Sequence, residues 1–313
     1  MTARVFIDGA AGTTGLEIRE RLAGRSDIEL ITIAEEQRKD ASARAEALNA
    51  ANAVILCLPD DAAREAVALI VNPGVKVIDA STAHRTAPDW AFGFAELEPG
   101  QRELIGRANR ISNPGCYPTG FLALVRPLVR AGILPADTPM SVNAVSGYSG
   151  GGKSMIAAFE DPGASDTTDT AFRAYALGLG HKHVPEMQKR AGLVHAPIFF
   201  PSVARTYRGM LVEVPLHLHL LPGRPTGETI RDALSAAYAG SRIVQVAHNN
   251  PAMLTIEASA TTDRLDLYVY ANEKTGQARL IATLDNLGKG AGGAAVQNLN
   301  IALGFDETEG LRL

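Results

Sequence analysis

The chain has 313 residues, 46% of them hydrophobic and 20% charged, with a formal net charge of −4 at pH 7. That length exceeds what one core ordinarily organises, so two domains are expected, and the mild acidity gives no footing for nucleic acid. No apolar run reaches the roughly 18 to 20 residues of a membrane span, and two cysteines, Cys57 and Cys116, make no disulfide framework, so a reducing, cytoplasmic compartment is expected.

Met1-Thr2-Ala3-Arg4 carries no leader pattern and runs directly into Val5-Phe6-Ile7, a short apolar strand. The loop Gly9-Ala10-Ala11-Gly12-Thr13-Thr14-Gly15 follows, and residues 16–22 read as a helix. Residues 29–33 form a second predicted strand, 43–50 a helix, and 53–58 a third strand closed by Pro59. Asp60-Asp61 then cap a helix through residue 71, and 76–79 make a fourth strand. Strands that are apolar throughout and alternate with helices predict a parallel sheet covered on both faces, a doubly wound α/β domain of Rossmann type.

Residues 110–112 read as a strand and 121–125 as a helix, with Asn113-Pro114-Gly115-Cys116-Tyr117-Pro118-Thr119-Gly120 at the turn between them. A thiol there faces the unsatisfied N–H groups of a helix start, which favour the thiolate, the form that attacks acyl carbons. The competing reading is a small buried hydrophobe, the usual fate of a free cysteine. Cys57, inside the third predicted strand, takes that reading.

After about residue 140 the pattern changes. Residues 209–220 and 264–270 alternate apolar and polar with period two. Between them lie a predicted helix at 229–238 and short strands at 243–246 and 254–258. One-sided strands with few crossover helices predict a second, α+β domain built on a mostly antiparallel sheet. A last helix, 294–303, follows a glycine-rich loop. The expected division is residues 1–115 and 116–285, with 286–313 returning to the first domain.

The GxxGxxG loop after the first strand suits a dinucleotide pyrophosphate at a helix N-terminus, with Gly9, Gly12, Thr13, Thr14 and Gly15 around it. Glu35-Glu36 precede Arg38-Lys39 near the end of the second strand. The acidic pair favours NAD and the basic pair a 2′-phosphate, so Arg38 points to NADP unless both pairs are solvated loop charges. Asp79-Ala80-Ser81-Thr82-Ala83-His84-Arg85 follows the fourth strand, where Ser81 and Arg85 suit an anion; the alternative is an Asp79–Arg85 pair that stabilises the loop. Gly147, Gly152, Lys153 and Ser154 match GxxxxGK[ST], the ATP-binding pattern. They lie deep in the second half, after a loop that already accounts for a nucleotide, so a flexible glycine loop with Lys153 facing an anion is expected instead. His181-Lys182-His183-Val184-Pro185-Glu186 places two imidazoles and a carboxylate together, fit for proton transfer, and no cysteine cluster makes it a metal site. His217 and His219 read with Glu213 as the polar face of a strand.

Taken in order, the glycine loop, Asn113-Pro114-Gly115-Cys116-Tyr117-Pro118-Thr119, the His181–Glu186 run and Asn286-Leu287-Gly288-Lys289-Gly290-Ala291-Gly292 make the chain resemble the N-acetyl-gamma-glutamyl-phosphate reductase family in its shorter form (type 2), within the semialdehyde dehydrogenase superfamily. The resemblance spans Val5 to about Leu303; its cysteine and histidine motifs are specific, its glycine loop is not. It implies NADPH-dependent reduction of an acyl phosphate, N-acetyl-glutamyl 5-phosphate, to the semialdehyde in arginine biosynthesis, by a homodimer or homotetramer. Cys116 falls on the family's nucleophile, and His181 and His183 on its motif histidines, with His181 favoured as acid/base and Glu186 as its orienting partner. Arg85 and Ser149 fall on substrate-anion contacts, joined on the substrate side by Ser81, Asn113 and Lys153. Asn286 and Lys289 fall near the cofactor, with Ser149 and Gly150. The stretch before Arg85 departs from the long form, which carries Asp-Phe there, and leaves the role of His84 open. The rivals are aspartate-semialdehyde dehydrogenase, disfavoured by Pro114-Gly115 and the histidine run, and a non-catalytic NADP-sensing regulator, which would have no need of Cys116 or His181.

Overall fold

The computed structural model describes residues 2–38 and 40–313, so Lys39 of the basic pair lies outside it. Two compact units emerge, one of Met1–Ala95, Pro99–Gly115 and Ala291–Leu311, the other of Glu96–Glu98, Cys116–Gly290 and Arg312–Leu313.

The first unit runs β1 (Ala3–Asp8), α1 (Thr13–Leu22), β2 (Ile28–Ile31), α2 (Ala41–Ala50), β3 (Ala53–Leu56), α3 (Asp60–Leu69), β4 (Lys76–Asp79), β5 (Ala91–Phe92), α4 (Gln101–Arg107) and β6 (Arg110–Ser112). Its six strands are all parallel, in the order β2-β1-β3-β4-β6-β5. Chain direction across the sheet reverses between β1 and β3, and such a switch point opens a crevice at the strands' carboxyl ends. The apolar runs divide by the period of the strand. Val5, Ile7, Ile55 and Ile78 enter one core cluster, with Ile18 of α1; Phe6, Val54, Leu56 and Val77 enter another, with Leu48 of α2 and Ala63 of α3. Each face is buried, which is why the strands show no polar alternation.

The second unit begins with α5 (Cys116–Arg130), β7 (Ser141–Gly147), α6 (Gly152–Glu160), β8 (Phe172–Ala174) and α7 (Val184–Ala191). It continues with β9 (Ile198–Ala204), β10 (Met210–His217), α8 (Gly227–Ala237), β11 (Val244–Val246), β12 (Leu265–Asn272) and β13 (Gln277–Leu284). The seven strands order as β11-β12-β13-β10-β7-β9-β8, antiparallel except at β7–β9 and β11–β12. The last helix, α9 (Gly293–Leu303), belongs to the first unit, where Val296 and Leu299 join the core beside Ile18.

Helix α5 is the axis of the second unit. Phe121, Leu122, Ala123, Leu124, Val125 and Leu128 are fully buried. Pro127 lies inside it and cannot donate to the carbonyl one turn back. That carbonyl, of Ala123, accepts instead from the Tyr238 hydroxyl at 2.9 Å, so the break in the helix ladder is repaired by a side chain.

Three local expectations are corrected. Residues 254–258 form no strand: the chain turns from residue 256, closed by Ala258 N–H on the Thr255 carbonyl (3.2 Å). Their apolar positions fall in the connection between β11 and β12, with no neighbouring ladder to join. β10 stops at His217, so His219 sits on a short 3₁₀ turn and not on the strand face shared by Glu213 and His217. Cys57 lies just beyond β3 instead of inside it.

Candidate active site

The cofactor candidates in the first unit gather at the carboxyl end of β1. A cleft of about 690 Å³ is lined there by Gly9, Gly12, Arg38, Arg44 and Cys57, among others. Gly9 has φ +87°, and a Cβ on it would lie 2.3 Å from the Cys57 carbonyl oxygen, so only glycine lets β1 turn this close to β3. Gly12 precedes the first turn of α1, whose N–H groups and dipole favour an anion. Thr13, Thr14 and Gly15 form that first turn. Arg38 pairs with Glu35 at 2.5 Å on the surface, and Arg44, not singled out from sequence, pairs with the buried Asp8 at 2.8 Å. Burial, with Asp79 and Asp8 nearby, pushes the Cys57 thiol up to about 12, so it stays protonated and inert.

The loop after β4 spends its polar groups on the protein. Asp79 is fully buried and accepts from Ser81 N–H (2.9 Å) and Ser81 Oγ (2.7 Å). Its other neighbour is His84, with Nδ1 2.6 Å from Asp79 Oδ2 and the ring stacked on Trp90 at 4.0 Å. The titratable side chain that meets the Asp79 carboxylate is thus His84, not Arg85 as the loop alternative had it. Arg85 is itself buried and donates to the carbonyls of Asn113 (3.0 Å) and Ala80 (2.9 Å).

In the second unit Cys116 is the first residue of α5 and partly exposed. Tyr117 carries the neighbourhood inward. Its ring meets His181 at 6.2 Å, His183 at 5.8 Å and Phe199 at 5.1 Å. The two imidazoles lie 4.8 Å apart, so the cysteine and histidine motifs converge around one tyrosine. The Tyr175 hydroxyl donates to Tyr117 Oη (3.2 Å), which donates to the Ser202 carbonyl (3.0 Å). Burial pushes the Tyr175 phenol up to about 12 and the Tyr117 phenol well above its ordinary range; the charge of Cys116 adds to both shifts. Both hydroxyls therefore remain donors at neutral pH. Burial, with Lys182 adding to it, pushes His181 down to about 4, so the ring is neutral. His181 Nδ1 accepts the His183 N–H at 3.2 Å, which leaves the neutral ring's proton on Nε2. Glu186 is buried in the first turn of α7, and its charge acts on Arg190 one turn further along.

The remaining candidates sort by burial. Gly147 closes β7 and Gly152 opens α6, so the ATP-like run does lie between a strand and a helix, but in the mixed sheet and through a 3₁₀ turn. Ser149 in that turn is buried, donates from Oγ to the Tyr207 carbonyl (2.5 Å) and accepts from Asn286 Nδ2 (2.9 Å). Gly150 and Lys153 are exposed. Lys289 is 1% exposed and pairs with Glu96 at 2.9 Å. It sits in a π-helical turn, Gly288–Gly292, whose Gly290 faces Cys116: a Cβ on Gly290 would lie 2.9 Å from the Cys116 Cβ. Among the described residues, no trio of His, Cys, Asp or Glu side chains is grouped to hold a metal, and no helix is long and apolar enough to cross a membrane. Sequence reasoning missed Tyr175 and Phe199, which β8 and β9 bring in from afar. It also missed Tyr117 as the hub, although that residue stands beside Cys116 in the motif.

Comparison with known proteins agrees in both units. Residues 4–105 match the semialdehyde dehydrogenase NAD binding domain, and 116–286 match the semialdehyde dehydrogenase dimerisation domain. The chain is 54% identical to N-acetyl-gamma-glutamyl-phosphate reductase of Trichormus variabilis, over 98% of this chain and 99% of the relative. It is 51% identical to N-acetyl-gamma-glutamyl-phosphate reductase 2 of Pseudomonas putida, over 99% of each chain. Among solved structures, aspartate semialdehyde dehydrogenase II of Vibrio cholerae, complexed with ASA, superposes with a TM-score of 0.73 at 16% identity, over 97% of this chain and 98% of that one. Aspartate semialdehyde dehydrogenase of Candida albicans, with NADP, gives 0.65 at 13% identity, over 96% and 98%. At those identities the structural likeness speaks for the fold alone.

Proposed function

The chain belongs to the N-acetyl-gamma-glutamyl-phosphate reductases of the semialdehyde dehydrogenase family, and from that premise we infer how its own residues carry the reaction. It reduces N-acetyl-L-glutamyl 5-phosphate to N-acetyl-L-glutamate 5-semialdehyde and phosphate in arginine biosynthesis, with a nicotinamide cofactor.

One observation supports the mechanism above others: Cys116 opens α5 while its neighbour Tyr117 gathers both motif histidines. The Cys116 thiolate attacks the acyl carbon, and the N–H groups of the first turn of α5 face the charge that develops on oxygen. His181 enters this step as a neutral ring with a proton on Nε2, a hydrogen-bond donor to that oxyanion. Phosphate leaves and the acyl group rests on sulfur as a thioester. The nicotinamide, when bound, supplies the hydride for its reduction. Proton exchange at the resulting thiohemiacetal falls to the His181–His183 pair. Exposed Lys153, at the start of α6, is the cation for the leaving phosphate.

The cofactor is NADP in this reading. The 690 Å³ cleft holds the backbone approach at Gly9 and Gly12 that a pyrophosphate needs, and Arg38 lines it. Arg38 is engaged by an exposed ion pair with Glu35, and such pairs are broken cheaply. Arg38→Ala is expected to raise KM for NADPH about tenfold, the loss of a charge-assisted phosphate contact, with little change for NADH. Equal effects on both cofactors would remove Arg38 from the 2′-phosphate.

The active form is a homodimer or homotetramer, supported by the match of residues 116–286 to a dimerisation domain. Sedimentation that returned only the 33.0 kDa single-chain mass would contradict that. A reducing cytoplasm suits a free thiol nucleophile. The activity itself is tested in reverse: N-acetyl-glutamate semialdehyde, phosphate and NADP should give NADPH, whereas turnover confined to aspartate semialdehyde would assign the chain to the other enzyme.

A further inference from the structure

Asn113 stands three residues before Cys116, just past β6, and is 1% exposed. Each of its four polar groups meets a different segment of the first unit. The N–H donates to the Asp79 carbonyl at the end of β4 (2.8 Å), and the carbonyl accepts from Arg85 Nε (3.0 Å). Nδ2 donates to the Ala291 carbonyl (3.1 Å), and Oδ1 accepts from Asn298 Nδ2 on α9 (2.9 Å). Its buried amide is therefore already committed to protein partners.

The direction of this network is fixed. Asn298 Nδ2 donates both to Asn113 Oδ1 and to the Gly93 carbonyl (2.9 Å), so flipping the amide would set oxygen against oxygen. Asn298 is 1% exposed, and its Oδ1 has no partner among the described residues. An apolar pair would avoid that desolvation cost, so stability alone does not account for two buried amides here.

Two covalent links carry the geometry to the nucleophile. Pro114-Gly115 joins Asn113 to Cys116. Ala291, held by Asn113 Nδ2, follows Gly290, whose missing Cβ leaves the Cys116 side chain its space. Cys116 is thus approached along the chain from before and through its packing neighbour from behind.

We propose that Asn113 is a positioning residue rather than a substrate contact: with Asn298 and Arg85 it sets the backbone from which the Cys116 thiol is presented. The inference rests on Cys116 being the nucleophile. Asn298→Ala is the informative variant, because it disturbs Asn113 from α9 and leaves the cysteine motif intact. Steady-state constants are measured with the acyl phosphate. Alkylation of Cys116 by iodoacetamide is followed against pH without substrate and located by peptide mass, and thermal melting reports folding. Asn113→Ala and Asn298→Ala are expected to lower kcat by about 10- to 100-fold, the cost of a misplaced reacting atom, with KM nearly unchanged. Both should displace the pH curve of Cys116 alkylation, and the double variant should be no slower than Asn113→Ala alone, since the two act as one unit. Arg85→Lys, which keeps a donor for one carbonyl, should fall between them and wild type. If Asn113→Ala does not fold, Asn298→Asp, which keeps the size and removes the donor, gives the same reading. A raised KM at constant kcat in Asn113→Ala, with Asn298→Ala like wild type, would return Asn113 to the substrate site and overturn the proposal. Turnover by Cys116→Ser would remove the nucleophile reading itself. An inactive Cys116→Ser beside an unaltered alkylation curve in Asn298→Ala would remove the positioning role alone.

Discussion

Replacement of Cys116 by serine is expected to reduce kcat by roughly 10⁴-fold or more, the scale seen when a covalent nucleophile is removed. A hydroxyl is almost wholly protonated at neutral pH, and the helix-start field that favours a thiolate cannot bring an alkoxide into range. Folding should be untouched, because Cys116 is only partly buried and the substitution is nearly isosteric. Cofactor binding should also survive, since the cleft at the end of β1 draws on residues of the first unit. Iodoacetamide should label Cys116 and spare Cys57, whose thiol is held up to about 12 by burial. A serine variant within tenfold of wild type would end the covalent mechanism.

The histidine pair gives the second large effect. His181→Asn is expected to lower kcat by about 10²- to 10³-fold, the usual cost of removing one donor to a developing oxyanion. His183→Asn should cost less. The contact that fixes the His181 tautomer comes from the backbone N–H of His183, which the substitution keeps. The acid side of the kcat/KM profile should stay flat until the pH approaches 4, where His181 protonates. Stability follows the same ring. Its folded value of about 4 lies below the 6.5 of an ordinary imidazole, so the unfolded chain binds more protons between those limits. This contribution is intact above 6.5 and is lost as the pH falls toward 4. Wild type should therefore lose more stability than His181→Asn over that window in urea titrations. A profile breaking near 6.5, or an unaffected His181→Asn, would contradict the neutral-imidazole role.

Much of the first unit is legible in the sequence because each strand is buried on both faces. Val5 and Ile7 serve one core cluster and Phe6 the other, so the run is apolar throughout and unmistakable. The second unit is harder to read. Its sheet mixes parallel and antiparallel pairs, β9 contains Pro201, and the apolar residues near 254–258 pack in a turn that mimics a strand. The site divides along the same line. Cys116, His181 and His183 stand in runs whose chemistry is visible locally. Tyr175 and Phe199 arrive only through the pairing of β8 with β9, which no local pattern announces. Ser81 and Arg85 suggest an anion by residue type; their contacts with Asp79 and the Asn113 carbonyl depend on how β4 and β6 align, which no local pattern shows.

The thioester on Cys116 is the claim on which the rest depends. The direct measurement is intact and peptide mass after the enzyme is mixed with N-acetyl-glutamyl 5-phosphate without nicotinamide cofactor and quenched in acid. One N-acetylglutamyl group per chain, on the peptide carrying Cys116 and with an equal amount of phosphate released, is the expected result. Phosphate release with no adduct, or an adduct on any other residue, would contradict it.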